Sequence, residues 1–378
     1  MFAGKLDCAG VWRLPEGGPA TRGRPMINLL PLAQGETIST VLPLPEDEAE
    51  WGKLHVMFAT AKGSVRRNSM DAFTNVPSNG KIAMKFEGED EDDRLIGVAL
   101  LTEEDDVLLA TRNGKAIRFE STAVREFQSR TSTGVRGITL KDGDEVISLS
   151  ILGGFPATPD EREAYLRAAP WKENENEPTL PPERMQAFAE AEEFILTVTA
   201  NGYGKRTSAY EYRRTNRGGQ GITNIVASDR NGPVVSSFPA HPGEQLMLVT
   251  DQAKLIRTSV GSIGRTPLGR NTQGVTIFRV AEGEHVVSAA RIEESEEEAE
   301  AELGDGEGTR PAEGVALDDR TGPETLDERI EEEPGEARRL QAGLRATFEP
   351  RPLSIVGLAS WRYLDGPWEP IRKYSFRG

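Results

Sequence analysis

A recurring pair of turns is the sequence feature that most constrains the fold of this chain. The first turn of each copy carries a small or polar residue followed closely by lysine or arginine. It reads AKGSVRR at Ala61–Arg67, RNGKAIR at Arg112–Arg118, NGYGKRT at Asn201–Thr207 and DQAKLIRT at Asp251–Thr258, with a degraded form, AGKL, at Ala3–Leu6. Self-similar units of this kind mark repeat architectures, in which one supersecondary unit is copied along the chain.

The second turn is glycine-rich and sets the period of the repeat. It reads RGRPMINL at Arg22–Leu29, SNGKIAMKF at Ser78–Phe86, STGVRGITL at Ser132–Leu140, RGGQGITNI at Arg217–Ile225 and NTQGVTIFRV at Asn271–Val280. Aligned on Gly23, Gly80, Gly137, Gly221 and Gly274, successive copies are 57, 57, 84 and 53 residues apart. A period in the fifties with several short strands favours one blade of a radial β array.

The apolar segments are short, rich in β-branched residues and bounded by Gly or Asp, which predicts strands rather than helices. The clearest of them, LHVMFAT at 54–60, is a continuous apolar run typical of a buried strand. Residues 153–193 differ, because Thr158, Pro159 and the acids that follow are helix-start signals, and PPERMQAFAEAEE begins in a similar way. We predict a helical hairpin here, inserted between two strands of one unit.

The formal net charge of −16 is unevenly distributed. Residues 292–378 hold 22 acids and 11 bases, and residues 157–193 hold 10 acids and 4 bases, which leaves about +1 for the repeats. The distribution of charge, not its total, decides whether a polyanion can bind, so the acidic total does not exclude a nucleic-acid partner.

Several classes of protein are excluded by composition. Cys8 is the only cysteine, which rules out an internal disulfide framework and fits a reducing compartment. His55, His241 and His285 are scattered, so we expect no zinc site and no Ser-His-Asp or Cys-His catalysis. RGGQG lacks the ending of a nucleotide-binding loop, so no cofactor is expected in this chain. No apolar run approaches membrane-spanning length and no signal peptide is evident, which predicts a cytoplasmic protein without a membrane partner.

The turns have a structural and a functional interpretation. Glycine tolerates the positive φ of tight hairpins and bulges, and this explains the glycines alone. Glycine also lets backbone amides approach a phosphate, and the lysine or arginine near each turn fits that use. Basic residues ordinarily cover solvated faces, but at equivalent positions of successive blades they would form one rim. Such a rim can hold a bent duplex through its backbone, without base reading.

The C-terminal part of the chain changes composition twice. Residues 292–343 are acidic and free of aromatic residues, which predicts a disordered tail. Residues 344–378 contain two Trp and two Tyr and form an unassigned C-terminal extension. One hypothesis from the charge and position of the acidic tail is that it competes with DNA for the basic rim.

In these motifs the chain resembles the C-terminal domain of DNA gyrase A, the A protein of a type IIA topoisomerase. The most specific match is VWRLPEGGPATRGRPMINLLPL at Val11–Leu32, which resembles the second blade of that domain. LIGV at Leu95–Val98, STGVRGITL, NGYGKRT and GRNTQGV at Gly269–Val275 match later blades in the expected order. The matches cover residues 1–291, which we interpret as one DNA-wrapping domain that contains the insertion at 153–193.

The resemblance implies an all-β fold, the six-bladed β-pinwheel, in which a strand passes between neighbouring blades; about five blades are visible in this sequence. It implies that a basic rim wraps double-stranded DNA without sequence specificity and so supports ATP-dependent negative supercoiling by the holoenzyme. Gyrase A and gyrase B would form a heterotetramer in the cytoplasm, at the nucleoid, and ATP and Mg²⁺ would be used elsewhere in it. This chain would carry neither the catalytic tyrosine region nor the ATPase, and is not expected to be catalytic alone. Carried over by position, the DNA-binding residues would be Arg22, Arg24, Lys62, Arg66, Arg67, Lys81, Lys115, Arg118, Arg136, Lys205, Arg206, Arg217, Lys254, Arg257 and Arg270.

The sequence departs from the family pattern in its first blade. The family carries a Q-R-R-G-G-K-G box there that wrapping-driven supercoiling needs, whereas this chain begins after that point and has only TNRGGQG at Thr215–Gly221 in a later blade. Two alternatives stay open. One is the C-terminal domain of the topoisomerase IV A protein, which has fewer and more degenerate blades. The other is a protein-binding β-propeller scaffold, for which no salt-dependent duplex affinity is expected.

Overall fold

The computed structural model describes residues 48–292, apart from 78–79, 87–89, 173–176 and 265, together with the backbone of residues 2–6 and a few positions between 28 and 45. The predicted contacts Arg22 and Arg24, and the predicted tail and extension from residue 293 onward, lie outside the described residues.

Most of the regular secondary structure in the described chain is short antiparallel strand. Its two α-helices are α1 (Pro159–Arg167) and α2 (Pro182–Glu190). The strands are β1 (Phe2–Leu6), β2 (His55–Thr60), β3 (Ser64–Ser69), β4 (Lys81–Phe86), β5 (Leu95–Leu101), β6 (Asp106–Thr111), β7 (Lys115–Glu120), β8 (Val135–Arg136), β9 (Val146–Leu152), β10 (Phe194–Thr199), β11 (Tyr203–Ser208), β12 (Ile222–Thr223), β13 (Val234–Pro239), β14 (Gln245–Thr250), β15 (Leu255–Ser259), β16 (Val275–Thr276) and β17 (Val286–Ile292).

Each repeat contributes strands to two sheets. A hairpin such as β2–β3 forms the middle of a sheet, and the fourth strand of its unit, β5, pairs with the first hairpin strand. The third strand crosses to the preceding sheet, so β8 pairs with β3, β12 with β7 and β16 with β11. The sheet orders are therefore β5-β2-β3-β8, β9-β6-β7-β12, β13-β10-β11-β16 and β17-β14-β15, with a further pair, β1-β4. This strand exchange confirms the predicted pinwheel.

The sheets stack face to face, and each middle strand is buried on both sides. Met57 of β2 packs with Leu109 of β6, whereas Leu108 of β6 packs with Ile195 of β10 on the opposite face. Strands covered on both faces have continuous apolar sequences, which is why β2 and β6 are buried at every position. The strands β5, β9, β13 and β17 of neighbouring sheets pack on one another. The exchanged strands β8, β12 and β16 consequently form the opposite, outer edges.

The structure corrects the alignment of the second turn. The glycine that precedes each exchanged strand is Gly80, Gly134, Gly221 or Gly274, and each has a positive φ. Gly137 is not their equivalent, because it lies after β8. A Cβ on Gly134 would overlap the carbonyl of Val65 in the preceding sheet. Glycine is therefore required here by the close approach of two blades.

The helical insertion is confirmed, but its position in the repeat differs from the prediction. It lies between β9, the fourth strand of one unit, and β10, the first strand of the next unit, and so interrupts no unit. Thr158 caps α1 in a reciprocal capping box with Glu161. Among the described residues, no helix is long and apolar enough to cross a membrane.

Candidate nucleic-acid interface

Three crossing segments lead to the outer edges of the sheets and are rich in arginine. We define them as 121–136, 209–223 and 260–276, each of which runs from the end of a second hairpin strand through the exchanged strand β8, β12 or β16. Their acids are Glu126 and Glu211. Their arginines are Arg125, Arg130, Arg136, Arg213, Arg214, Arg217, Arg265 and Arg270, of which Arg265 lies outside the described residues. These segments therefore place positive charge on the outer edge of successive sheets.

Among the arginines of the crossing segments, Arg125, Arg136 and Arg213 have the guanidinium groups least engaged within the chain, and all three are exposed. Arg125 lies over the ring of Phe127, with the guanidinium carbon 4.2 Å from the ring centroid. This contact orients the side chain while its donors stay accessible. Within the described part of the chain, the guanidinium groups of Arg136 and Arg213 have no acidic partner. Such groups are available to phosphate oxygens.

Other arginines connect the crossing segments to one another and to the hairpins. Arg217 donates from Nε to the carbonyl of Ala123 (2.9 Å) and from Nη1 to the carbonyl of Arg136 (3.0 Å), so it joins two successive crossing segments. Arg214 donates from Nε to the buried carboxylate of Asp106 at 2.7 Å. The outer edge is thus a connected surface, in which neighbouring cations hold fixed relative positions.

The loops that lead into the fourth strands have the opposite charge. The hairpin-turn cations meet these acids: Lys62 pairs with Asp92, and Lys254 Nζ lies 2.8 Å from Glu284. The hydrogen bond to Asp92 raises the pKa of Lys62 above its ordinary value. The predicted contacts Lys62 and Lys254 are therefore already neutralised within the chain.

Five predicted contacts lie in the interior and not on a rim, which corrects their predicted placement. Their exposed fractions are 6 % or less, and their heads bind groups of this chain. The reason is the stacking of the sheets, since the second hairpin strand is covered by the crossing segment of the next blade. The five are Arg66, Arg67, Arg118, Lys205 and Arg206.

Three of these cations occupy the same position of successive hairpins, and each donates to a backbone carbonyl of a crossing segment. Arg67 donates from Nε to the carbonyl of Val124 (2.9 Å), Arg118 from Nη1 to that of Ala209 (2.9 Å), and Arg206 from Nε to that of Ile263 (3.2 Å). Each acceptor lies at the start of a crossing segment. Arg118 also binds Asp106 through Nε and Nη2, at 2.7 Å each. This arginine position anchors a crossing segment to the hairpin it covers.

The other two buried cations hold the middle of a crossing segment. Arg66 donates to the carbonyls of Arg130 (2.8 Å), Ser132 and Ala83. Burial lowers the pKa of Arg66 to about 10.

Lys205 is equivalent to Arg66 in its hairpin. It donates to the carbonyls of Gly269 and Arg270, at 2.8 Å each, and to Thr272 Oγ1 at 3.2 Å. Burial lowers the pKa of Lys205 to about 7. Both residues are internal donors for backbone oxygen, and not surface charges.

The remaining predicted contacts lie nearer the surface. Lys81 donates to the carbonyl of Thr74 (2.7 Å), and Arg270 to that of Thr223 (2.9 Å), where it also lies 3.7 Å from Glu211. Lys115 is half-buried beside a cleft, and Arg257 is exposed on β15. With Arg136 and Arg217, these residues remain compatible with a DNA contact.

Sequence reasoning missed Arg125, Arg130, Arg213 and Arg214. It gave weight to cations within a few residues of a glycine, and these arginines lie in the polar loops between a hairpin and the next glycine. The available signal was the composition of the crossing segments, in which arginines outnumber acids in every copy.

The helical insertion packs on one crossing segment. Tyr210 lies in a cluster with Tyr165 and Phe188, and its hydroxyl donates to the carbonyl of Phe188 at 3.1 Å. Arg162 of α1 donates to the carbonyl of Tyr210 at 3.2 Å. Glu192 accepts from Tyr165 Oη at 2.7 Å, and burial raises the pKa of this carboxyl. The insertion thus fixes the start of crossing segment 209–223.

The family model described as the DNA gyrase C-terminal domain, beta-propeller, matches four segments, 54–101, 105–152, 193–240 and 244–293. Each of these segments contains one hairpin, the exchanged strand that follows it and its fourth strand. The chain belongs to this family. Its members' defining repeat is therefore the strand-exchanged unit seen here, and the insertion at 153–193 falls between two matched repeats, as the structure shows.

Relatives agree with this assignment. DNA gyrase A of Granulibacter bethesdensis is 48 % identical over 318 residues, covering 78 % of this chain and 33 % of that protein. DNA gyrase A of Rickettsia bellii is 46 % identical over 309 residues (79 % and 34 %), and that of Escherichia coli K12 is 37 % identical over 331 residues (87 % and 32 %). The chain spans about a third of the length of these relatives.

Solved structures show the same fold. The C-terminal domain of DNA topoisomerase IV superposes with a TM-score of 0.55 at 19 % identity, covering 76 % of each chain. The DNA gyrase A C-terminal domain superposes with a TM-score of 0.54 at 20 % identity, covering 76 % of this chain and 79 % of the other. Their near-equal scores show the shared fold and do not separate the two enzymes. The relatives named above, at 37 to 48 % identity, are DNA gyrase A proteins.

Proposed function

We propose that this chain binds duplex DNA without reading its sequence, along the outer edge of its sheets, as the C-terminal part of a DNA gyrase A protein. The observation that carries the proposal is the set of exposed arginines on successive crossing segments, represented by Arg125, Arg136 and Arg213. They repeat from blade to blade at the outer edges, whereas the turn lysines Lys62 and Lys254 are paired with acids.

This arrangement suits a DNA backbone better than base edges. Arginines spread along a curved row of sheets can contact successive phosphates, and the duplex must bend to follow them. Arg125, Arg136 and Arg213 lie in loops or in a two-residue strand, and none of them lies on a helix that could enter a groove. Affinity would then come from phosphate neutralisation and from the deformability of the DNA.

The context we propose is that of the relatives, the DNA gyrase A proteins. There the bound duplex would be wrapped and presented to the rest of gyrase A and to gyrase B, with ATP and Mg²⁺ used outside this chain, in the cytoplasm. Topoisomerase IV is the second candidate, because its C-terminal domain shares the fold. The identities of 37 to 48 % to gyrase A proteins favour gyrase.

The test is the affinity of the full chain for duplexes of about 20 and about 150 base pairs across a salt series. Wrapping predicts much tighter binding of the long duplex and a log–log salt slope of several units, because each neutralised phosphate contributes about 0.9. The variant R125Q/R136Q/R213Q should lower the slope by about 2 to 3.

The matched control is R94Q/R112Q, which removes two exposed arginines that are both paired with Glu145. This control should leave the slope unchanged. Equal losses in the two variants would show general charge attraction and contradict an interface on the crossing segments. Absence of binding to either duplex would favour the protein-binding scaffold.

A further inference from the structure

A small cleft opens between one hairpin turn and the glycine-rich loop of the next crossing segment. Its volume is about 80 Å³. One wall is the β6–β7 turn with Thr111 and Lys115, a second is 138–141, and the third is Gln220 and Gly221 from the RGGQG motif. The cleft is therefore built by two neighbouring blades, beside the outer edge formed by β12.

Two lysines line this cleft without a partner in the described chain. Lys115 is half-buried at the start of β7, and Lys141 is exposed in the loop that follows β8. The one carboxylate in the wall is Asp144, and it is already engaged. It accepts from Thr111 Oγ1 at 2.7 Å and from the backbone amides of Asn113 and Glu145 at 2.9 Å each.

The equivalent turn and loop in the last described blade carry different side chains. There Glu284 replaces Asp144, and its longer side chain reaches both Thr250 Oγ1 (2.6 Å) and Lys254 Nζ (2.8 Å). Asp144 binds the equivalent threonine and does not bind Lys115. The loop position that holds Lys141 here is Ala281 in the last blade. One blade thus neutralises its turn lysine, and the other leaves two ammonium groups facing one cleft.

The glycine loop gives this cleft a fixed wall. Thr139 holds the loop in place, since its Oγ1 donates to the carbonyl of Gly218 (2.7 Å) and its amide to that of Gly219 (2.9 Å). Gly221 has a φ of +70°, and a Cβ there would meet the carbonyl of Ala116 at 2.6 Å. The side-chain amide of Gln220 has no partner among the described residues and can donate into the cleft. A rigid wall with one free donor faces the two cations.

We propose that this cleft binds one phosphate group, held between the ammonium groups of Lys115 and Lys141 with Gln220 as a third donor, and that a phosphodiester of the DNA backbone supplies it. Lysine binds phosphate as a compact charge and needs no fixed geometry, which suits a shallow cleft. Two lysines against one engaged carboxylate leave the site with a net positive charge. The inference that DNA supplies the phosphate rests on the proposed function, whereas the inference that the cleft binds a phosphate does not.

The first test is a titration of the full chain with inorganic phosphate at constant ionic strength, followed by the amide resonances of Gln220 and Gly221. Saturable shifts are expected in the wild type and their loss in K115Q/K141Q. The variant K115R/K141R, which keeps both charges, should retain them and shows that loss is not misfolding. K254Q is the matched control, because it removes the equivalent lysine that Glu284 already binds, and should leave the shifts unchanged.

The second test is the salt slope of binding to the duplex of about 150 base pairs, which should fall by about 1 in K115Q/K141Q, since one phosphate contact is lost. Phosphate-induced shifts with an unchanged slope would support the phosphate site and overturn DNA as its source. Wild-type resonances that do not respond to phosphate, with an unchanged slope in the double variant, would overturn the proposal entirely. If R125Q/R136Q/R213Q shows that DNA does not follow the crossing segments, the phosphate titration still decides whether the cleft is a site.

Discussion

The second hairpin strands and the crossing segments are both rich in cations, yet they use them in opposite ways. Arg67, Arg118 and Arg206 of the hairpins are at most 6 % exposed and donate to backbone carbonyls of the crossing segments. Arg125 and Arg213 of the crossing segments are exposed. The buried arginines of the hairpins hold the backbone of the crossing segments, and the crossing segments carry the exposed arginines. A lysine or arginine that recurs in every repeat can therefore stabilise the fold internally as readily as it can form a binding surface.

The physical reason lies in the backbone of the crossing segments. These segments have few ladder hydrogen bonds, since β8, β12 and β16 are each only two residues long. Their carbonyls are covered by the neighbouring blade and need donors, because an unsatisfied buried polar group costs about 1 to 3 kcal/mol. Arginine supplies several donors from one side chain. The predictions below test this division from the largest expected effect to the smallest.

Arg118→Met should give the largest loss of stability. It removes one of two donors to the carbonyl of Ala209, which keeps the amide of Tyr212, and it removes two contacts to the buried Asp106, whose carboxylate keeps only Arg214. Breaking a buried ion pair on one side costs about 3 to 5 kcal/mol. The measurement is the free energy of unfolding in urea.

Arg112→Met is the control for this change. It removes an exposed arginine that pairs with Glu145, and surface pairs contribute at most about 1 kcal/mol. A loss in Arg118→Met no larger than in Arg112→Met would show that the hairpin arginines are ordinary surface charges and would remove the contrast.

Gly114→Ala should be the next most destabilising change. Gly114 has a φ of +79°, and a Cβ there would overlap the carbonyl of Ile225, which lies just after the next crossing segment. The left-handed conformation and the overlap together should cost about 2 to 4 kcal/mol. The same turn in the last blade has Ala253, with a φ of +60°.

Ala253→Gly is the matched reverse change. Relief of the left-handed strain and the greater freedom of the unfolded chain oppose each other, so the free energy of unfolding should change by less than about 1 kcal/mol. Equal effects at the two turns, measured by urea unfolding, would mean that glycine serves the turn alone and not the packing of a following blade.

Lys205 predicts a dependence of stability on pH. Burial lowers its pKa to about 7 in the folded chain, against about 10.4 when unfolded. Between these values the unfolded chain binds more protons, so stability rises with pH across this window. Relative to Lys205→Met, the wild type should gain about 2 to 3 kcal/mol between pH 7 and pH 9, at about 1.4 kcal/mol per unit.

Glu211 and Arg270 are the charged groups that influence Lys205, and both are present in the wild type and in Lys205→Met. The measurement is urea unfolding of both proteins at several pH values. A constant difference between them would show that the three oxygen acceptors keep this ammonium charged throughout the range.

The sequence predicted the architecture well because the architecture is repeated. Continuous apolar runs such as β2, glycine at each blade contact and the capped start at Thr158 are local signals, and several copies reinforce one another. The exposure of individual cations was not predictable in this way. Arg118 and Arg136 both lie within four residues of a glycine, and only the stacking of the next blade decides that one is buried and the other exposed. The three-residue error at Gly137 had the same origin, since the required glycine is the one that meets a neighbouring carbonyl.

The comparison can be reduced to two adjacent residues of one crossing segment. Both residues are exposed, but Arg213 has no partner in the described chain, whereas Arg214, with a side chain that is 35 % exposed, donates to the buried carboxylate of Asp106 at 2.7 Å. Arg213→Gln should therefore leave the urea midpoint unchanged and lower the DNA salt slope by about 0.9, the contribution of one phosphate.

Arg214→Gln should cost about 1 to 2 kcal/mol of stability, because a charged hydrogen bond to a buried group is lost from a partly exposed side chain. Its salt slope should change less than that of Arg213→Gln, since its guanidinium is already committed. The opposite result would be a change of the salt slope in Arg214→Gln and a loss of stability in Arg213→Gln. It would mean that the contact with Asp106 positions an arginine that binds DNA, and that burial does not distinguish arginines that support the fold from arginines that bind DNA.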